Sequence, residues 1–147
     1  MKKLITALLL AALIPATSFA SFMGGNELLA RCTTEGTEIE DSFEDYKALP
    51  IQSKERRLVG FFNRSNCNGY IKAISDAHSA FVFWGYMEPT FCTPKGSSAG
   101  QFIKIVVKYL NENPEILRLE AGGAVVNAIS DAFPVSYKDD GTRYCPE

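Results

Sequence analysis

The chain has 147 residues, of which 15 are basic and 17 acidic, with one histidine and four cysteines. This length and mixed composition fit one globular domain with its own core. The slight negative charge gives no electrostatic basis for binding nucleic acid or an anionic membrane, and it favours a basic protein surface as the partner.

The first twenty residues have the three parts of a secretory leader: two lysines, a short apolar run, and small residues that end at Ala20. We predict a signal peptide over residues 1–20, cleaved before Ser21, and a single exported domain over residues 21–147. The apolar run is too short to cross a membrane. Since the leader carries two lysines and no acid, its removal leaves 13 basic and 17 acidic residues.

The exported chain is predicted to begin with a short helix from Glu27 to about Cys32, with Asn26 as its N-cap. A run with six carboxylate side chains follows. Such a run is typical of a solvated loop. The functional alternative is an acidic segment that enters a basic cleft, with Glu40 and Asp41 among its contacts.

Two stretches predict helix in the middle of the chain. After Pro50, the sequence SKERRLVGFF fits a helix from Ser53, although LVGFF fits a strand equally well. From Asn66 onward the apolar spacing is helical. The predicted packing stripe of this second stretch consists of Ile71, Ile74, His78 and Phe81.

The next helix has a clear start signal and a clear apolar face. Ser97 or Ser98 can cap it. Its apolar residues recur at helical spacing, which outweighs the β-branched sequence IKIVV that favours a strand. They are Phe102, Ile103, Val106, Val107 and Leu110.

The last predicted helix begins in the sequence NENPE, with Asn113 as N-cap and Pro114 at the first helical position. Two adjacent glycines at 122 and 123 are unfavourable inside a helix, and we expect them to allow another helix backbone to approach closely. The predicted buried stripe is Leu117, Ala121, Ala124, Val125, Ala128, Ile129 and Ala132. The chain is therefore predicted to be a small all-α domain, a bundle of four to five helices.

Four cysteines in an exported chain predict two disulfides, for which three pairings exist. We favour Cys67–Cys92, which would close a helix onto its return loop, together with Cys32–Cys145. Cys32–Cys67 with Cys92–Cys145 is the alternative. The chain has no Cys-x-x-Cys pair, and one histidine cannot complete a zinc site, so we predict no metal and no cofactor.

A catalytic site built from Cys67, Asp76 and His78 fails on helix geometry. Cys67 and His78 would share a helix face but lie about 16 Å apart along the axis. Asp76 and His78 are two residues apart, so their side chains would point in nearly opposite directions. A nucleophile and its base must be within hydrogen-bonding distance. The single histidine would also have to serve any serine triad. We therefore predict that the protein is not an enzyme.

A dense aromatic segment follows the middle helix. It can close the core beneath a disulfide at Cys92, or it can project from a loop as an interface anchor. Aromatic residues and methionine are enriched at the centres of protein interfaces. Because so many large side chains cannot all point inward from a loop with a glycine, we predict at least one exposed anchor. The candidate partner contacts are Phe83, Trp84, Tyr86, Met87 and Glu88.

The order of motifs resembles the Tai/Rap immunity proteins that accompany type VI secretion amidase effectors. The segments that carry the resemblance are ELLARC, CNGYIKAISDA, FCTPKGSSAGQFIKIVVKYLNENPE and AGGAVVNAISDAFP, over roughly residues 24–134. The matching positions are Cys32, Cys67, Gly69, Tyr70, Asp76, Cys92, Pro94, Gln101, Tyr109, Leu110, Pro114, Glu115, Phe133 and Pro134.

The resemblance implies a periplasmic, all-helical, non-enzymatic inhibitor, often a homodimer, that blocks the cleft of a cognate peptidoglycan amidase effector. One departure concerns the last cysteine. The family usually has cysteine directly after Phe-Pro, whereas Val135 stands there and Cys145 comes ten residues later. If the disulfide is retained, the C-terminal tail must fold back. The alternative function is a small periplasmic chaperone or stress-binding protein, which would bind many clients.

Overall fold

The structure is a computed structural model, and it describes residues 22–34, 47 and 49–146. In this part of the chain four α-helices form the body: α1 (Gly25–Thr33), α2 (Ile51–Phe83), α3 (Ala99–Glu112) and α4 (Ala121–Ala132). A 3-10 helix, Pro114–Arg118, joins α3 to α4. Two short strands follow, β1 (Ser136–Tyr137) and β2 (Arg143–Tyr144), and pair as an antiparallel hairpin. The predicted all-α class is confirmed.

The core lies where all four helices and the segment before α3 meet. Its largest fully buried side chains come from every helix and from Phe91. Burying this apolar surface is the main stabilising contribution to the fold. The core residues are Leu28, Cys67, Ile71, Phe91, Phe102, Val106, Leu110, Ala121, Ala124, Val125, Ala128 and Ile129.

Helix α1 begins one residue before the predicted Asn26 cap. Its N-cap is Gly24, and the Asn26 side chain accepts only from the neighbouring N–H of Glu27. Gly25 lies against the backbone of the 3-10 helix, so an added Cβ would come 2.9 Å from the carbonyl oxygen of Ile116. The close backbone approach that we expected at residues 122 and 123 is therefore found at Gly25.

Helix α2 is one continuous helix of 33 residues, about 50 Å long. It begins at Ile51, directly after Pro50, so the strand considered for LVGFF is wrong. The predicted stripe is confirmed at Ile71 and His78, which are buried, but Phe81 is exposed. Phe81 lies on the last turn, where the helix has passed the end of the packed core.

Helix α3 has the predicted cap in full. The hydroxyl of Ser98 accepts from the N–H of Gln101, and the Gln101 side chain accepts from the N–H of Ser98. This reciprocal pair is a capping box, which stabilises the first turn of a helix. The strand alternative for IKIVV is wrong.

A helical segment does start at Pro114 after Asn113, as predicted, but it is the five-residue 3-10 helix, and the last α-helix begins only at Ala121. The side chain of Asn113 donates to the carbonyl of Tyr109 and so caps the end of α3. The backbone is extended at Leu119, whose carbonyl accepts from the N–H of Gly25. This pairing with the start of α1 separates the 3-10 helix from α4.

The two glycines of α4 have different surroundings from those expected. An added Cβ at Gly122 would lie 3.6 Å from the hydroxyl of Tyr70, and one at Gly123 would meet nothing within 4 Å. Neither position approaches another helix backbone. Ala132, at the end of the predicted stripe, is exposed.

The structure contains two disulfides, Cys32–Cys67 and Cys92–Cys145. The number of disulfides is as predicted, but the pairing that we favoured is wrong and the alternative is correct. Cys67 lies halfway along α2 and faces α1, whereas Cys92 lies beyond the far end of the same helix. The tail folds back through the hairpin, which brings Cys145 to Cys92.

Candidate partner-binding surface

A cluster of large apolar side chains is exposed where α2 ends. Phe83, Trp84 and Tyr86 expose 85%, 62% and 76% of their surface, and Met87 is also exposed. We call these four residues the aromatic surface, and residues 84–92 the aromatic loop. Large exposed apolar clusters on a small domain are typical of interaction sites.

The backbone beneath the aromatic surface is fixed by a Schellman motif. The N–H of Tyr86 donates to the carbonyl of Phe81, and the N–H of Gly85 donates to that of Val82. Gly85 has a φ of +71°, the left-handed conformation that this motif requires. The rings of Phe81 and Tyr86 meet edge to face with centroids 6.4 Å apart, which is the apolar contact that accompanies the motif.

The inner side of the aromatic loop is held by His78. Its Nε2 accepts from the N–H of Thr90 at 3.0 Å, and its ring stacks on Phe91 with centroids 3.8 Å apart. Phe91 is only 1% exposed and belongs to the core. Burial lowers the pKa of His78, which favours the neutral ring that can accept this hydrogen bond.

The outer side of the aromatic loop is held by the C-terminal hairpin. Nε of Arg143 donates to Oε2 of Glu88 at 3.0 Å, and the Cys92–Cys145 disulfide joins the two segments covalently. The N–H of Cys92 also donates to the carbonyl of Phe133 after α4. The aromatic loop is thus attached to α2, α4 and the hairpin at separate points.

The structure brings the five predicted contacts, Phe83, Trp84, Tyr86, Met87 and Glu88, together at this end of the molecule. All five are exposed. Their role as contacts stays a prediction. Glu40 and Asp41, the acidic candidates, lie outside the described residues, as does the predicted signal peptide.

The residues that first suggested catalysis have other partners. Cys67 is disulfide-bonded, His78 binds the aromatic loop, and Asp76 accepts from Lys72 at 3.3 Å on the next turn. Within the ranges 22–34 and 49–146, no group of three or more His, Cys, Asp or Glu residues could hold a metal ion. None of the helices described is long and apolar enough to cross a membrane.

Comparison with known protein families identifies the family of this chain. The model of the Rap1a immunity proteins matches residues 24–135, well over half of the chain. The chain belongs to this family. No curated protein and no solved structure matched it. As a Rap1a immunity family member, the protein is expected to have a cognate effector as its partner.

A second exposed apolar row was missed by the sequence analysis. Ile51, Leu58 and Phe62 are exposed on the first half of α2, on the side opposite the buried Gly60 and Cys67. Their spacing of seven and four residues places them on one helix face. The signal was present in the sequence, because a helix from Ile51 with apolar residues on both faces cannot bury both against one small core.

Proposed function

We propose that this chain is the periplasmic immunity protein of a type VI secretion amidase effector, and that it blocks the active-site cleft of the effector by steric occlusion. The Rap1a family match supports an effector as the partner. The resemblance over CNGYIKAISDA and FCTPKG supports an amidase in particular. Such an inhibitor needs a stable interface of about 1,600 Å² and no chemistry of its own.

The observation that carries the proposal is the exposure of Trp84 and Tyr86 on a turn fixed by both hydrogen bonds of the Schellman motif. A backbone turn that is already fixed loses little conformational entropy when a partner binds. Trp and Tyr are also the residues most enriched at binding hot spots. The aromatic surface is therefore suited to enter a cleft.

The test is Trp84→Ala against the proposed cognate effector, a small Cys/His amidase that we expect in the neighbouring reading frame. We expect the affinity for this amidase, measured by calorimetry, to fall about 30-fold, which corresponds to about 2 kcal/mol. Inhibition of peptidoglycan cleavage should weaken in parallel.

The matched control is Leu119→Ala. Leu119 is similarly exposed but lies just before α4, at the end of that helix away from Phe133 and the aromatic loop. We expect its amidase affinity to be unchanged. Equal affinity of the Trp84→Ala and wild-type chains would exclude the aromatic surface as the contact.

The acidic candidates Glu40 and Asp41 form a second proposed contact. If they bind a basic cleft, Glu40→Gln with Asp41→Asn should weaken binding mainly through a slower association rate. That loss should shrink as salt is raised, because screening removes long-range attraction. A loss that does not depend on salt would contradict this role.

We further propose that the protein forms a homodimer through Ile51, Leu58 and Phe62. These residues supply an apolar face that the described part of the chain leaves uncovered. Light scattering after gel filtration should give twice the chain mass for the wild type and the chain mass for Leu58→Asp with Phe62→Asp. A wild-type monomer would contradict the dimer.

Export is proposed from the leader alone. Mass spectrometry of the protein from the periplasmic fraction should find Ser21 as the first residue. The same fraction separates the immunity role from the chaperone alternative, since an immunity protein should co-purify with one partner and a chaperone with many.

A further inference from the structure

The C-terminal hairpin lies outside the part of the chain that the family model matches. The match ends at residue 135, and the hairpin begins at Ser136. Each of its strands has only two residues. Such a short hairpin is not stable by itself, so contacts with the body must hold it.

The turn of the hairpin is well formed. Gly141 has a φ of +83°, and its N–H donates to the carbonyl of Lys138. The carboxylate of Asp140 accepts from the N–H of Thr142, and hydrogen bonding to Thr142 lowers the pKa of Asp140. This turn directs β2 back towards the aromatic loop.

The two residues that attach the β2 segment to the aromatic loop lie on the same side of the extended chain. Alternate residues of an extended chain point to the same side, so Arg143 and Cys145 both face the aromatic loop. Arg143 binds Glu88 and Cys145 binds Cys92, which are four residues apart in that loop. Tyr137, the cross-strand neighbour of Arg143, shares its side and is exposed.

We propose that the hairpin, residues 136–145, is a brace that sets the position of the aromatic surface, with Arg143 as its positioning residue, and that it thereby tunes which effector the protein binds. This rests on the proposed function. Glu88 is adjacent to Met87, so moving its carboxylate moves the edge of the aromatic surface. An exposed ion pair contributes little to global stability, so a variant that loses Arg143 should still fold.

Trp84 reports on this brace directly, because it is the only tryptophan in the chain. The test measures acrylamide quenching and fluorescence anisotropy of Trp84 in the free protein, and the dissociation rate of its complex with the proposed amidase effector. In Arg143→Glu we expect faster quenching, lower anisotropy, and dissociation about tenfold faster.

Two further variants separate positioning from a general charge effect. Arg143→Glu combined with Glu88→Arg restores an ion pair of reversed polarity, and it should return Trp84 quenching towards wild type. Arg118→Glu makes the same charge change on the exposed 3-10 helix, and it should leave both readouts unchanged.

Unchanged Trp84 quenching and anisotropy in Arg143→Glu would overturn the brace. Equal effects of Arg118→Glu and Arg143→Glu would overturn it too. Altered Trp84 signals with an unchanged dissociation rate would support the brace while contradicting the aromatic surface as the effector contact, so the two proposals fail in distinguishable ways.

Discussion

The two disulfides of this protein lie in contrasting surroundings. Cys32–Cys67 joins α1 to α2, and Cys67 is fully buried among core side chains. Cys92–Cys145 joins two non-helical segments, the aromatic loop and the residue after β2. We call the first the core disulfide and the second the rim disulfide.

The difference lies in what else holds the joined segments. The core disulfide links helices that also pack against each other, so the bond and the packing hold the same two elements together. The rim disulfide holds a hairpin that the exposed Arg143–Glu88 pair also links to the aromatic loop. The same bond type therefore stabilises the fold in one place and positions a surface in the other.

The largest predicted effect is the change in the free energy of unfolding when each disulfide is removed separately. This experiment tests the contrast between the core and rim disulfides. The bonds close loops with sequence separations of 35 and 53 residues, for which loop entropy alone predicts about 4 kcal/mol each. Replacing Cys32 and Cys67 by serine should lower the free energy of unfolding by at least about 4 kcal/mol, because two hydroxyls also enter the core.

Replacing Cys92 and Cys145 by serine should lower the free energy of unfolding by only about 1 kcal/mol. In that variant the hairpin can detach while the core stays folded, so the native state also gains chain entropy and offsets most of the gain in the unfolded state. Urea denaturation of both variants gives the comparison. Equal losses would show that the hairpin unfolds together with the core.

The parts of the fold that follow from local signals were predicted from the sequence. The cap at Ser98 and the apolar spacing of α3 both depend on residues three or four apart. The end of α2 was less clear, but a glycine among many aromatics indicated correctly that some of them must be exposed.

Two of the failures depend on contacts between distant parts of the chain. Disulfide pairing depends on which helices are neighbours, and Cys67 faces α1 rather than the return loop. The break at Leu119 depends on pairing with the start of α1. No local pattern carries this information, since both partners lie far away in sequence.

The candidate site shows the same division. The sequence predicted Trp84 and Tyr86 as exposed contacts from composition alone. It did not predict that Arg143 would bind Glu88, 55 residues away. Nor did it predict that His78 would accept from Thr90, because the helical stripe indicated only that this histidine is buried.

A change of pH tests whether the inner support of the aromatic loop contributes to stability. Since burial lowers the pKa of His78, the unfolded chain takes up a proton at a higher pH than the native protein does. This contribution is present in full above the ordinary histidine pKa of about 6.5 and is lost as the pH falls from there towards the lowered native value.

We expect the free energy of unfolding to fall between pH 7 and pH 5, because protonated His78 no longer accepts from the N–H of Thr90. His78 is the only histidine in the chain, so His78→Gln should remove most of this dependence. Urea denaturation at both pH values measures it. If His78→Gln shows the same pH dependence of the free energy of unfolding, that dependence comes from carboxylates instead.

The smallest predicted change in the free energy of unfolding comes from alanine substitution of two glycines, Gly85 in the aromatic loop and Gly123 in α4. Gly85 has a φ of +71° and Gly123 an ordinary helical backbone, while an added Cβ would meet no atom within 4 Å at either position. Differences between the two alanine variants therefore come from backbone conformation alone. Gly85→Ala should destabilise by about 1 kcal/mol, and Gly123→Ala should stabilise by about 1 kcal/mol.

Binding to the amidase should separate the two variants further. Gly85→Ala disturbs the Schellman turn that fixes Trp84 and Tyr86, so its affinity should fall although no contact side chain is removed. Gly123→Ala should bind as the wild type does. If both variants bind equally well, the exposed side chains tolerate a different turn, and the effector rather than the backbone of the free protein arranges the aromatic surface.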